Sequence, residues 1–193
     1  MLFETGEPYS RPELLAALRR LDDAGEAYLV AMPGAEFFEP QGSAWSPSGH
    51  LRHLAKSARP VARALTLPRL MLALRFGVHR GTSAPFEGLR ARYLDRLAAG
   101  VDAGRFAPSE RPRPTDTARG RDEVLAEWHA ANRALETAAL SWRERALDRY
   151  RLPHPALGLL TLREMLAFTV YHTAHHLRRI AERRGGGVLP RGE

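Results

Sequence analysis

The chain has 193 residues, of which 44% are hydrophobic and 26% charged, and these proportions exclude a disordered or fibrous protein. Because it has no cysteine, disulfides, thiolate metal ligands and a catalytic thiol are excluded, and any metal must be held by His, Asp or Glu. The formal net charge of +7 favours acidic or phosphate-bearing partners. However, acidic residues or prolines interrupt each arginine-rich stretch and no nucleic-acid motif is present, which argues against nucleic acid as a partner.

The first part of the chain predicts two long helices joined by a loop. Ser10 and Glu13 have the spacing of a capping box, and the leucines that follow recur at helical spacing, so we expect a helix over 11–31. A serine followed by a proline starts the second helix, over 46–65. Pro60 predicts a kink or break within it, because proline removes one backbone hydrogen bond.

The middle of the chain predicts shorter elements. Residues 67–81 are apolar at helical spacing and predict a short helix that stops at Gly77 or Gly81. The 67–77 segment would either roof the core or pack at a homodimer interface. Residues 86–100 predict a further helical segment, and the proline-rich stretch after it predicts an extended surface connection.

The last part of the chain predicts two more long helices. Apolar spacing predicts a helix over 119–148, followed by a loop over 148–160. Thr161 and Glu164 form a second capping box, which opens a final helix. We expect that helix to end at Gly185, the first of three consecutive glycines.

The predicted architecture is an all-α, four-helix bundle with extra short helices between the second and third long helices. No segment shows the period-2 alternation of a strand, and we treat residues 1–193 as a single domain. The N-terminus resembles neither a secretory signal nor a membrane span, so we expect a cytoplasmic protein with no membrane partner.

Three histidines lie close together in the final predicted helix. His172 and His176 are four residues apart, so they share one helix face and could bind a single ion. Both fall within the apolar stripe of that helix, whereas His175 is predicted to face water. The alternative is that the buried pair simply hydrogen-bonds within the core.

A metal site would need a third ligand from another helix. Periodicity places His50 nearer than His53 to the apolar stripe of the second helix, and therefore favours His50. The remaining candidates are His79, His129 and His154.

Two stretches together resemble a known family. WSPSGHLRHL, at residues 45–54, is followed by LPHPALGLLTLREMLAFTVYHTAHHLRRI, and their order and separation resemble the DinB/YfiT-like superfamily. The resemblance implies an up-down-down-up bundle that binds divalent zinc or nickel. It implies the ligands His53, His172 and His176, and we follow it over the periodicity, with His50 as the fallback.

The sequence departs from the family pattern at two positions. Gly49 stands where an acidic residue is frequent, and Arg179 where a glutamine is frequent. Neither change removes a ligand, but each alters residues that could orient the imidazoles.

Three histidines around a metal leave a coordination position open for catalysis. Some members of the family are thiol S-transferases, so the resemblance favours transfer of a low-molecular-weight thiol to an electrophile. Arg75, Arg80 and Arg179 could bind the carboxylates of the thiol. The alternatives are a metal-dependent hydrolase and a non-catalytic, metal-stabilised stress or binding protein.

The remaining aromatic residues and histidines have ordinary explanations. Trp45, Trp128 and Trp142 are predicted to pack in the core or against loops rather than to stack on a ligand. His154 is predicted to cap its loop, and His129 could lie in a second shell around the site.

Overall fold

The computed structural model describes residues 2–40, 42, 44–108 and 111–184. Four long helices form the bundle: α1 (Arg11–Val30), α3 (Pro47–Leu65), α6 (Thr117–Leu140) and α8 (Leu162–Arg184). Shorter helices connect them: α2 (Gly34–Phe38), α4 (Arg69–Phe76), α5 (Phe86–Ala98) and α7 (Glu144–Arg149). A 3-10 turn (Gly104–Phe106) and two short strands, β1 (Arg151–His154) and β2 (Gly158–Thr161), complete the described elements.

Helices α1 and α8 run in the same direction. Arg163, at the start of α8, donates to the carbonyl of Tyr9 just before α1. Arg184, at the end of α8, pairs with Glu36 just after α1. The first and last long helices are therefore parallel.

Helices α3 and α6 are also parallel to each other and antiparallel to the first pair. The indole of Trp142, just after α6, donates to the carbonyl of Leu65 at the end of α3. Halfway along, Arg59 of α3 pairs with Glu127 of α6. Because α3 runs antiparallel to α8, the connectivity is up-down-down-up, and the predicted bundle and its extra helices are confirmed.

Local capping signals set the starts of α1 and α8. The Ser10 hydroxyl accepts from the backbone of Glu13, whose carboxylate accepts in return from the backbone of Ser10. Thr161 and Glu164 make the same reciprocal pair. Both predicted capping boxes are confirmed, whereas the predicted end of the last helix at Gly185 lies outside the described residues.

The predicted helix over 119–148 is wrong, because the chain turns after Leu140 and resumes as α7. The hydroxyl of Ser141 donates to the carbonyl of Ala138, and Trp142 turns inward to its partner in α3. Burial of this indole, 2% exposed, is favourable enough to end the helix.

The loop predicted over 148–160 is also wrong, since it contains an antiparallel hairpin in which Arg151 pairs with Thr161 and His154 with Gly158. Each strand has four residues, which is too short for an alternating pattern to stand out. Gly158 ends the turn with a φ of 76°, which favours glycine.

Three further differences concern shorter segments. The predicted loop before α3 contains α2, and the predicted connection after α5 contains the 3-10 turn. Helix α3 continues through Pro60 without a break. Gly77, with a φ of 69°, ends α4 and is one of the two predicted stops.

Within the described ranges, no helix has both the length and the apolar character needed to cross a membrane.

Candidate metal centre

Three imidazoles meet where α3 crosses α8. The antiparallel arrangement of these helices places His53 opposite His172. His176 lies one turn further along α8. The Nε2 atom of His172 lies 3.0 Å from Nε2 of His53 and 3.0 Å from Nε2 of His176. All three histidines are buried, and their potential ligand atoms lie within 4.8 Å of one another.

The spacing of these nitrogens suits a metal ion. Two nitrogens at 2.0–2.1 Å from a tetrahedral zinc ion are about 3.3 Å apart, close to the observed separations. A neutral imidazole carries one N–H, so three converging Nε2 atoms cannot all be satisfied by hydrogen bonds to one another. A cation that accepts three lone pairs satisfies all of them, and the three-histidine group could therefore hold a metal.

The backbone determines which nitrogen of His53 carries the proton. Its Nδ1 lies 2.8 Å from the carbonyl oxygen of Phe106, which can only accept. The proton of a neutral His53 is therefore on Nδ1, and its Nε2 lone pair points towards the other two rings. The sequence analysis did not identify this contact, because Phe106 lies 53 residues further along the chain and acts through its backbone.

His50 lies beside this group rather than within it. Its Nδ1 is 2.7 Å from Nδ1 of His176, whereas the converging atom of His176 is Nε2. Periodicity placed His50 nearer than His53 to the apolar stripe of α3, but both residues are 4% exposed. The reason is that α3 contacts both α6 and α8 and so has two buried faces.

Burial keeps these imidazoles neutral. Burial, reinforced by the charge of Arg183, lowers the pKa of His50 to about 3. Burial also holds the pKa of His172 and His176 well below the usual histidine range, and it lowers the pKa of His53. Other imidazoles and the cationic side chains of Lys56, Arg179 and Arg183 lower these pKa values further. Neutral imidazole is the form that binds a metal.

Trp45 covers the group from the loop before α3. Its ring is stacked on that of His176, with centroids 5.9 Å apart, and lies 4.9 Å from that of His53. A Cβ atom at Gly49 would lie 3.2 Å from Cβ of Trp45, so glycine at this position allows the close approach. The packing role predicted for Trp45 is observed, but the surface that it packs on is the histidine group.

The three histidines line a cavity of about 600 Å³. This volume is within the usual range for small-molecule sites. The other walls come from α3, α4, α5, the hairpin and α8, and they are largely apolar, with Val61, Leu72, Phe76, Tyr93, Met165 and Phe168 among the lining residues. Residues of α4 therefore form a wall of the cavity, as expected for a segment that roofs the core.

Four arginines contribute to the cavity wall: Arg75, Arg105, Arg179 and Arg183. Of the three arginines that could bind the carboxylates of a thiol, Arg75 and Arg179 line the cavity, whereas Arg80 is exposed and is not among the described lining residues. Arg80 lies beyond α4, after Gly77 has redirected the chain. Among the described lining residues, Asp102 is the only acidic one, and its carboxylate accepts from the backbone of Gly104.

The other histidines have different surroundings. His154 Nδ1 accepts from the backbone N–H groups of Ala156 and Leu157, which agrees with its predicted capping role. His129 pairs with Asp22 on α1 and is not part of the three-histidine group. His79 contacts the carbonyl of Asp148.

His175 is half-buried beside Tyr93 and lines the cavity, so the prediction that it faces water is wrong. The reason is that α5 packs over this side of α8. Burial lowers the pKa of His175 to about 4, so it too is neutral at physiological pH.

Comparison with known proteins agrees with this geometry. The model of the DinB superfamily matches residues 9–180. This range includes the three histidines and all four long helices apart from the last four residues of α8. The chain belongs to the DinB superfamily. The resemblance found in the two sequence stretches is thereby confirmed.

A solved structure resembles this DinB-superfamily chain over most of its length. It is described as the crystal structure of TT2238, a four-helix bundle protein. The two share 22% sequence identity with a TM-score of 0.56, over 89% of this chain and 98% of that one. At this identity the likeness supports the bundle fold alone. A comparison with curated proteins finds no match.

Proposed function

We propose that the protein is a divalent-metal-dependent enzyme of the thiol S-transferase type, with His53, His172 and His176 as ligands of zinc or nickel. The observation that carries the proposal is the convergence of three buried, neutral imidazoles in the wall of a largely apolar cavity. Imidazole suits both metals, and the cysteine-free sequence offers no thiolate alternative.

A divalent cation held by three imidazoles supplies Lewis acidity, which lowers the pKa of a thiol or water in the open coordination position. The protein supplies the surroundings. Trp45 shields the ligands on one side, and the apolar walls exclude water from a bound electrophile. Burial raises the pKa of Tyr93 to about 12, so its phenol keeps its proton and can donate a hydrogen bond within the cavity.

The arginines of the cavity favour a thiol that carries carboxylates. Arg75 and Arg179 are exposed and also line the cavity, and a guanidinium can bind a carboxylate through two hydrogen bonds. With a chloro-nitroarene as electrophile, a sulfur–carbon bond forms and the carbon–chlorine bond breaks. Chloride leaves, and the thiol proton passes to solvent.

A metal-dependent hydrolase is less well supported by the surroundings. Hydrolysis by activated water benefits from a nearby carboxylate that shuttles protons. Asp102, the acidic residue among the described lining residues, already accepts a hydrogen bond of 2.8 Å from the backbone of Gly104. A metal that only holds α3 and α8 together is the non-catalytic alternative.

The proposal is tested with untagged protein, to avoid adventitious metal on a histidine tag. Metal per chain is measured by plasma mass spectrometry for the wild type and for a His172→Ala, His176→Ala double variant. We expect close to one zinc or nickel per wild-type chain and none in the double variant. Equal, low metal content in both proteins, even after incubation with zinc and nickel, would exclude the proposed metal site and with it a metal-dependent enzyme.

The reaction class is then tested with glutathione and a chloro-nitroarene. A transferase consumes both only when the metal is loaded. Turnover of ester substrates without thiol would instead identify a hydrolase, and loss of stability alone on chelation would identify a structural site.

The role of the arginines is tested by Arg179→Gln, with Arg80→Gln as the matched control outside the cavity. We expect the KM for glutathione to rise about 5- to 10-fold in the first variant, the loss of roughly one charge-assisted hydrogen bond, and to stay unchanged in the second. Equal KM values in both variants would exclude Arg179 from thiol binding.

A further inference from the structure

The contact between His50 and His176 restricts which nitrogen of each ring carries the proton. The two Nδ1 atoms are 2.7 Å apart, a hydrogen-bond distance, and both rings are buried. Each neutral ring has a single N–H, so one ring donates through Nδ1 and the other accepts. If His176 donates, its Nε2 lone pair faces His53 and His172. If His50 donates, the proton of His176 is on Nε2, where it blocks metal binding.

The other nitrogen of the His50 ring is also buried. His50 Nε2 has no hydrogen-bond partner within the described structure. Its ring lies against a second, small cavity of about 10 Å³, which Trp45, Pro47, Ile180 and Arg183 also line. The contact with His176 is therefore the hydrogen bond that the described residues offer to this ring.

The proposed metal site selects between the two arrangements. A ligand nitrogen binds a metal through its lone pair, so His176 can hold the metal through Nε2 only when its proton is on Nδ1. Nδ1 of His50, 2.7 Å away, is then the acceptor, and the proton of a neutral His50 is on its own Nε2.

We propose that His50 is a positioning residue, which accepts a hydrogen bond from Nδ1–H of His176 and thereby directs the Nε2 lone pair of His176 towards His53 and His172. The inference rests on the proposed function, because His176 is there a metal ligand. His50 would then act on His176 as the carbonyl oxygen of Phe106 acts on His53, by accepting the hydrogen bond from Nδ1–H. Partners of this kind typically change metal affinity by 10- to 100-fold.

The test compares His50→Leu with His50→Asn. Asparagine and leucine have the same shape, but only asparagine places an acceptor atom, Oδ1, at the position of Nδ1. We expect the leucine variant to bind zinc 10- to 100-fold more weakly in competition with a chelator, and the asparagine variant to stay within about 3-fold of the wild type. Wild-type affinity in the leucine variant, or equal losses in both variants, would overturn the proposal.

The same variants separate a positioning residue from a ligand. With saturating metal, X-ray absorption should still count three imidazoles in the leucine variant, whereas a His53→Ala variant should lose one. A count of two in the leucine variant would make His50 a ligand and overturn the proposal. Circular dichroism establishes that each variant is folded before its affinity is compared.

A second measurement is independent of metal affinity. Long-range ¹H–¹⁵N NMR of the wild type should show the proton of His176 on Nδ1 and that of His50 on Nε2. The opposite tautomers would overturn the proposal. If these tautomers are found in a wild type that binds no metal, the positioning contact stands while the proposed function fails.

Discussion

Two clusters of polar side chains in this bundle contain histidine, and they are built in different ways. Between α3 and α8, three buried imidazoles converge through their Nε2 atoms. Between α1 and α6, His129 pairs with Asp22, which also accepts a hydrogen bond from Asn132. We call these the histidine cluster and the aspartate cluster.

The difference shows that the direction of the lone pairs, and not only the presence of a histidine, distinguishes a candidate metal site. In the aspartate cluster, His129 Nδ1 lies 3.4 Å from a carboxylate oxygen of Asp22, and among the described residues His129 is not part of a group of converging ligand atoms. In the histidine cluster, lone pairs converge and a cation is the group that satisfies them. The histidine cluster is therefore the candidate for function.

The largest expected effect is on metal content. His53→Ala removes one of three ligands, so we expect the chain to lose its bound metal. His129→Ala, which changes the aspartate cluster, should retain the wild-type amount. Plasma mass spectrometry of both variants measures the difference. Equal metal content in the two variants would contradict the assignment of the metal site to the histidine cluster.

The next effect is the acid response of the metal-free protein. Burial holds the pKa of His172 and His176 below the ordinary value of 6.5, so the unfolded chain takes up more protons than the folded chain below that pH. The free energy of unfolding should therefore fall as the pH drops below 6.5. Urea denaturation of the wild type and of a His172→Leu, His176→Leu variant measures this, and equal slopes would contradict the prediction.

The aspartate cluster should respond with the opposite sign. Burial raises the pKa of Asp22 from 3.8 to about 6, against the hydrogen bonds from Asn132 and His129. The folded chain then binds the extra proton, so this contribution is complete below pH 3.8 and is lost as the pH rises through 6. A shift of this size corresponds to on the order of 3 kcal/mol.

Comparison with Asp22→Asn isolates the contribution of Asp22. The variant lacks the titrating carboxylate, so the difference in free energy of unfolding between wild type and variant should change between pH 4 and pH 6. Urea denaturation across this range measures it. A constant difference would mean that Asp22 titrates normally in the folded protein.

The smallest effect concerns how closely α1 packs beside the aspartate cluster. A Cβ atom at Gly25 would lie 2.8 Å from the indole of Trp128 and 3.1 Å from Leu177. Gly25→Ala gains about 1 kcal/mol of helix propensity but overpacks the core, which typically costs about 1–3 kcal/mol. We expect a net loss of about 1 kcal/mol by thermal denaturation, with metal content unchanged. A more stable variant would show that α1 can shift.

Local signals account for much of what the sequence predicted correctly. Each capping box acts within four residues, so Ser10 with Glu13 and Thr161 with Glu164 identify helix starts without knowledge of the fold. The predicted helix over 119–148 was wrong because its end depends on Trp142, whose partner Leu65 is 77 residues away in sequence. The hairpin was missed because each strand has four residues and β1 contains Pro153.

The same difference between local signals and long-range contacts applies to the candidate site. The spacing of His172 and His176 places both on one face of α8, which the sequence predicts by itself. Periodicity favoured His50 as their partner, and only the family resemblance pointed to His53. In the structure both are buried, and the orientation of their rings distinguishes them.

The sequence by itself determined the capped starts of α1 and α8 and the histidine pair on one face of α8, because these depend on contacts within one or two turns. The tertiary structure decided which histidine of α3 meets that pair, since His53 and His172 are 119 residues apart and are joined by the antiparallel crossing of two helices. It also decided where the protons lie. The acceptors for His53 and His176, a carbonyl in a connecting turn and a second imidazole, come together only when the chain is folded.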